Sequence, residues 1–505
     1  MEKGLWKLKN NPVFKKIEAI VLVLLFTASF FIFMVGMEKP YDIYKQIYSM
    51  SAIALFGTAM VIISRVDFTR IFNWIVLVGG LGIGLFIIEK TVNRAESPTL
   101  WRLYVTYLTA MSVFGFLLVD AITGRKLKKI KLSYSAPILF IIVFALLYFI
   151  FNGFQVELLL YLIVAIGLSL ISFRAERLKE FIFCSLSGLY LASLVLIILS
   201  LIKNPYTGDP YYKGYFFNST IFGICTAVGF VPIVFFFMYL VFEKKLSILR
   251  VLGLLALSIP VLFVTYISEA RNGFLGIGAM IILAIAFWCV RNGKIKKFLI
   301  ITGVIIGLIV VFYVVGAIFF RGDYTQTEYM ESPLDKYPHL KLIVYRTLRI
   351  FNTKSFFGII PEGSLLNGID GFTSYRLSIQ ILAIRSFKLF TGNTGYIIMP
   401  DESLTNAHNT ALGSMFNYGI IPGGLFVLSW IWSYLYVFVK NVKLIKRKES
   451  NYHFRMGSLL LMTYTMAIFM NELIYVKYFF MVVFLLFIAL NSFDEATLDK
   501  ESNVS

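Results

Sequence analysis

Apolar runs, each bounded by a short polar tract, recur along the chain at 19–37, 48–64, 71–88, 101–120, 134–151, 156–173, 181–202, 217–242, 249–267, 272–290, 298–320, 411–439, 457–470 and 476–491. A helix rising ~1.5 Å per residue needs about 20 residues to cross ~30 Å of hydrocarbon, so each run is close to the length of one crossing. In lipid the backbone has to satisfy its own hydrogen bonds, and uninterrupted runs do that only as helices. The pattern predicts an all-α polytopic membrane protein with about 12–14 transmembrane helices.

One polar interval breaks the rhythm. Residues 321–407 form a connection 87 residues long, whereas Asn152–Glu157 and Asn471–Lys477 are tight turns and Lys203–Phe216 is a modest loop. Long connections in compact proteins usually carry structure and function of their own. Within it, Thr373–Phe390 reads as an amphipathic helix too polar to span, ending at a C-cap in Thr391-Gly392-Asn393. Arg376 and Gln380 share one face of it, and Arg385 points to the opposite face. A second helix is predicted at Lys341–Phe351. The expected organisation is an N-terminal helix bundle (1–248), helices carrying a Ser268–Gly273 corner (249–320), a loop domain (321–407), C-terminal transmembrane helices (408–491) and a polar tail (492–505).

Composition agrees with the pattern. The chain is 59% hydrophobic and 15% charged, with a mean hydropathy of +0.80, too little charge to cover a soluble domain of 505 residues. The net charge of +19 invites a nucleic-acid reading until the charges are located. With the N-terminus inside, Lys3–Lys16, Arg65–Arg70, Arg125–Lys131, Arg174–Lys179, Lys244–Arg250, Arg291–Lys297, Lys440–Arg455 and the tail share one side and hold 29 of the 47 Lys and Arg. The short loops of the other side hold 9. The positive-inside bias is a property of short loops, so the basicity is a topology signal: no nucleic-acid partner, both termini cytoplasmic, the long loop outside, and the lipid bilayer as solvent. Gly36-Met37-Glu38-Lys39 is a poor cleavage site, so the first run reads as a retained span. Cys184, Cys225 and Cys289 fall within spans without a metal or redox spacing.

Three features could carry chemistry, and the topology puts all of them outside. Ser268-Glu269-Ala270-Arg271-Asn272-Gly273 sits between two spans with almost no loop. Its charges either cap helix ends and snorkel to headgroups, or line a functional cavity. Arg376 is either a solvated charge or an anion ligand, and His408, where the loop re-enters the membrane, is either a helix cap or a proton acceptor near neutral pH. Of the other histidines, His339 lies mid-loop and His453 among cytoplasmic basic residues, and both are expected to be dispensable. Two arginines and a histidine facing one compartment suffice to hold an anionic leaving group and activate a hydroxyl, since the guanidinium fork matches phosphate oxygens and keeps its charge.

Ser268–Gly273 with the span after it, Tyr375-Arg376 leading to Gly392-Asn393-Thr394-Gly395, and His408-Asn409 running into Asn417-Tyr418-Gly419-Ile420-Ile421-Pro422-Gly423-Gly424 occur in that order around one long outer loop. In this the chain resembles the bacterial O-antigen ligase and Wzy-type O-antigen and capsule polymerase superfamily. The resemblance covers about residues 250–440. It departs where Glu269 and Ala270 separate Ser268 from Arg271, and where GNTG stands for a tighter GxG. It implies a glycosyltransferase in the bacterial plasma membrane that takes an undecaprenyl-pyrophosphate-linked glycan as donor and a second such glycan as acceptor. By resemblance, Arg271 and Arg376 bind the pyrophosphate, His408 is the general base, and Glu269, Ser268, Gln380, Asn409 and Tyr375 line the substrate. No metal and no cofactor are implied, and chain-length regulator and flippase proteins are the implied protein partners. A ligase passing finished glycan to another acceptor is the near alternative. A transporter is the distant one, because the interiors of 134–151, 217–242, 298–320 and 411–439 contain no Asp, Glu, Lys, Arg or His.

The alternation is tested by cysteine-accessibility labelling at Ser332 and Lys446. Ser332→Cys is expected to label only from outside and Lys446→Cys only from the cytoplasm. Labelling of both from one side contradicts the predicted topology.

Overall fold

A computed structural model describes residues 12–37, 42–124, 132–153, 163–164, 167–168, 170–171, 177–208, 211–216, 218–324, 333–393, 396–405, 407, 409–447 and 452–469. Among them the chain is almost wholly helical, and ten helices are long and apolar enough to cross a membrane. The protein is a multi-pass membrane protein. Nine of the ten are α1 (Pro12–Met37), α2 (Asp42–Ser64), α3 (Ile71–Thr91), α4 (Pro98–Thr123), α6 (Leu178–Lys203), α7 (Ser219–Phe242), α8 (Ile248–Ile267), α9 (Arg271–Arg291) and α10 (Ile295–Phe319); the tenth begins at Ile420, and α5 (Leu132–Asn152) lies between α4 and α6. The loop carries α11 (Pro338–Leu348), α12 (Leu366–Phe372) and α13 (Arg376–Arg385), and the chain continues as α14 (Thr410–Tyr418), α15 (Ile420–Arg447) and α16 (Tyr452–Phe469). In α5 and α16 the described apolar stretches are shorter, Leu139–Asn152 and Met456–Ile468. Most of the predicted span 156–173 and all of 476–491 lie outside the described residues.

The bundle is held by interlocking side chains rather than by escape from water, since lipid tails are as apolar as the core. Phe26 on α1 meets Phe56 on α2 and Phe181 on α6 edge-on, at centroid separations of 5.8 and 5.6 Å. By contrast α10, with a mean hydropathy of 3.0, buries none of its apolar stretch and stands in lipid. It is tied to the loop instead. Phe351 packs against Phe312 and Phe320, and the Tyr313 hydroxyl donates to the Leu365 carbonyl at 2.9 Å.

Polar contacts join helix ends at both ends of the bundle. At one end Arg177 meets Glu18, the Asp67 N–H donates to Asp120 and Arg70 donates to Thr123. At the other, the Gly392 N–H donates to Asn152, Tyr206 meets His339 and Arg271 donates to Ser374.

Two predicted elements are corrected. The run 411–439 is not one span: it breaks at Gly419, and the spanning helix α15 starts at Ile420. Gly419 has φ +95°, and a Cβ there would sit 2.6 Å from the Phe390 carbonyl carbon. That close approach lets the Lys388 and Leu389 carbonyls accept from the Ile420 and Ile421 N–H groups, pairing donors that α15 cannot satisfy itself. The loop helix predicted over Thr373–Phe390 is shorter, Arg376–Arg385, because Ser374 and Tyr375 take left-handed conformations (φ +57° and +65°) that stop a helix on its N-terminal side. Nor is Thr391–Asn393 its C-cap, since the helix ends at Ser386 and the Asn393 N–H donates instead to the Phe416 carbonyl.

The loop has a small core of its own. The hairpin β1 (Ile397–Ile398) and β2 (Leu404–Thr405) packs with Ile379 and Ala383 of α13, with Phe416 of α14 and with Ala407 before that helix. The loop is thereby docked on the bundle end rather than free above it.

Candidate functional site

The corner between α8 and α9 is the centre of the site. Ser268, fully buried, caps α8 by donating its hydroxyl to the Thr265 carbonyl at 3.1 Å. Glu269 follows at φ +54°, a conformation that costs a non-glycine residue about 1–3 kcal/mol and persists only where neighbours impose it. Ala270 is buried against α7, where Gly223 leaves the room: a Cβ at Gly223 would lie 2.1 Å from the Ala270 Cβ. The strained turn sets Glu269 and Arg271 at the bundle end, with Arg271 as the first residue of α9.

A second strained turn faces it from the loop. Ser374 and Tyr375 precede α13, whose N-cap side chain makes no capping bond. Asp370 does that work from a distance. Its carboxylate accepts from the Ser378 N–H at 2.9 Å and the Ser378 hydroxyl at 2.6 Å, while its carbonyl accepts from the Tyr375 N–H. Burial pushes the Asp370 carboxyl above its usual range, against the Ser378 donors that pull it down. The Tyr375 ring is fixed by stacking on Phe356 at 4.0 Å, with the Arg349 guanidinium 5.7 Å from its centre.

The two turns brace each other reciprocally. Arg271, from the membrane helix, donates to the Ser374 hydroxyl at 2.5 Å. Arg376, from the loop helix, reaches back to the Asn272 side-chain oxygen at 3.5 Å, the outer limit of a hydrogen bond. Each arginine thus reaches across to the turn that carries the other, and both are half-buried. Arg385 is exposed, on the other side of α13.

Glu269 anchors a further chain of contacts. Its carboxylate lies 2.8 Å from His339 Nδ1, and His339 Nε2 lies 2.6 Å from the Tyr206 hydroxyl. The imidazole is 12% exposed and the carboxylate 8%, and the Tyr266 ring lies against the imidazole at 5.1 Å. A carboxylate offers only acceptors, so Nδ1–H donates to Glu269 and, in the neutral ring, Nε2 accepts the Tyr206 proton. His339 is thus a bridge between the corner and the Lys203–Phe216 loop, not the detached mid-loop residue that the sequence suggested. Nothing local in the sequence marks His339, Tyr206 or Asp370; the fold brings His339 to Tyr206 and Glu269, and Asp370 to Ser378.

Of the other predicted site residues, Gln380 is half-buried one turn after Arg376. Asn409 caps α14, its side-chain oxygen accepting from the Leu412 N–H at 3.0 Å. His408 lies outside the described residues, while Ala407 before it is buried against α13. Among the described residues no three His, Cys, Asp or Glu side chains are gathered closely enough to hold a metal ion. Comparison with protein-family models, with curated proteins and with solved structures finds no match.

The capping role of Asp370 is open to test by hydrogen exchange at the start of α13. Asp370→Ala is expected to cost about 1–2 kcal/mol there, speeding exchange of the Ser378 amide by roughly tenfold, with Asp370→Asn milder. A carboxyl raised above its unfolded pKa weakens the fold as pH rises through the raised value, so protection in the wild type should fall above pH 3.8, the ordinary pKa, and this slope should vanish in Asp370→Asn. Unchanged exchange in Asp370→Ala contradicts the role.

Proposed function

We propose that this chain is a membrane glycosyltransferase that polymerises undecaprenyl-pyrophosphate-linked oligosaccharide repeat units into a surface polysaccharide on the outer face of a bacterial plasma membrane. The observation that supports it is the reciprocal brace, which sets Arg271 and Arg376 side by side at the bundle end that the charge pattern assigns to the outside. Two fixed guanidinium groups at the lipid edge suit a pyrophosphate whose polyprenyl tail stays in the bilayer.

In the proposed reaction the acceptor hydroxyl attacks the anomeric carbon of the donor sugar as the bond from that carbon to the pyrophosphate oxygen breaks. Negative charge gathers on the leaving pyrophosphate, where Arg271 and Arg376 stabilise it without having to rearrange. His408 takes the proton of the acceptor hydroxyl. A single displacement inverts the anomeric centre. Tyr375 and Gln380 border the sugar, and Glu269 acts by fixing the corner and His339.

The test is in vitro transfer from a lipid-pyrophosphate-linked donor. Arg271→Ala and Arg376→Ala are each expected to lose ~10²–10³-fold in rate, as for loss of one charge-stabilising donor. Arg376→Lys should rescue poorly because a point charge lacks the bidentate fork, and the double variant should be little worse than either single. His408→Ala should lose ~10²–10⁴-fold with donor binding retained, and Arg385→Ala should stay near wild type. Essential Arg385 with dispensable Arg376, or near-normal transfer by His408→Ala, contradicts the reading.

A further inference from the structure

Beside the Glu269–His339–Tyr206 chain lies a polar cavity of about 650 Å³ between the Lys203–Phe216 loop and the start of α7. That is within the range of about 300–1,000 Å³ typical of sites for small organic ligands. Its lining includes Tyr206, Tyr211 and Tyr212 together with Asn204, Thr207 and Lys213. Tyr211 is held at φ +63° and is exposed, so the loop spends backbone strain to keep an aromatic ring at the rim. Tyr212, by contrast, is buried, donates its hydroxyl to the Asn204 carbonyl at 2.5 Å and stands edge-on to Tyr206 at 5.7 Å. Its main-chain N–H donates to the Ile267 carbonyl at 3.0 Å, beside the corner. The cavity is therefore built against the same strained turn that positions Arg271.

Its chemistry selects a class of ligand. Among the described residues of its lining Lys213 is the one charged side chain, too little cation for a pyrophosphate or nucleotide. Flat tyrosine faces, amides and hydroxyls instead match the apolar C–H faces and the many hydroxyls of a sugar ring.

We propose that this cavity holds a neutral saccharide unit of the glycan substrate, and that Tyr206, through His339 and Glu269, ties the wall of that site to the corner carrying Arg271. The proposal rests on the glycosyltransferase reading for the identity of the glycan. Either the acceptor or the sugars of the donor remote from the pyrophosphate supplies the unit. Tyr206 and His339 are positioning residues here: they fix the saccharide relative to the arginines without touching the reacting atoms.

The probe is the oligosaccharide freed by mild acid from the host's lipid-linked pool, which lacks the pyrophosphate, offered to the full chain in nanodiscs and read by saturation-transfer NMR. Binding to wild type is expected, weakened at least tenfold by Tyr211→Ala and several-fold by Thr207→Val. Both residues are at the surface, so both variants should fold. Tyr215→Ala, on the same loop but outside the cavity, should bind as wild type. In the transfer assay, inhibition competitive with acceptor assigns the cavity to the acceptor, and inhibition competitive with donor assigns it to the donor. No binding to wild type while transfer from the lipid-linked donor proceeds overturns the cavity site and leaves the glycosyltransferase reading standing. Equal weakening by Tyr211→Ala and Tyr215→Ala overturns it too. Binding with the expected pattern but no transfer supports the saccharide site and removes the glycosyltransferase reading.

Discussion

The left-handed turn at Glu269 is the constraint on which this end of the bundle depends. Two spanning helices meet there with only Ser268, Glu269 and Ala270 between them, and Glu269 takes a conformation that a carboxylate side chain does not favour. It is held by what surrounds it: Gly223 admits Ala270, Tyr212 pairs with Ile267, His339 takes the carboxylate, and Ser374 takes the guanidinium two residues on. Strain of this kind persists because packed neighbours over-determine it, and it accumulates where groups have to be aimed. Each element that meets the corner comes from a different part of the chain, so the corner is also where the loop registers on the bundle.

This arrangement accounts for the contrast between the two ends of the protein. The apolar helices need only fill space and satisfy their own backbones, and α10 does so with an apolar stretch that buries none of its residues. Polar side chains cannot be placed inside such a bundle cheaply, whereas at its end water, headgroups and a docked loop can satisfy them. A site made there from Arg271 on a spanning helix and Arg376 on a loop helix borrows its rigidity from the bundle and its shape from the loop. The same division explains why Asp370 matters: it stabilises α13, the only element that presents Arg376 to the corner.

The spans were legible because membrane thickness fixes their length and hydrocarbon fixes their composition. Arg271, Arg376 and the outward-facing Arg385 were legible from topology and helical spacing, and the structure puts the first two together and the third apart. What could not be read were features set by main-chain conformation and long-range contact. The start of α13 depends on Ser374 and Tyr375 turning left-handed, which no residue type there announces. The break before α15 depends on Phe390 crossing over Gly419, a contact from a distant segment. His339 sat 70 residues from Glu269 and 133 from Tyr206, too far in sequence for any motif to join them; three separate chain segments close that chain of hydrogen bonds.

The central claim is that Arg271 and Arg376 form one anion site at the outer mouth. Arginine modification by phenylglyoxal, read residue by residue by peptide mass spectrometry with and without geranylgeranyl pyrophosphate, tests it without relying on turnover. The lipid pyrophosphate is expected to protect Arg271 and Arg376 in parallel, with one concentration dependence, and to leave Arg385 as reactive as before. Protection of Arg385, or protection of one of the two site arginines without the other, would contradict the account.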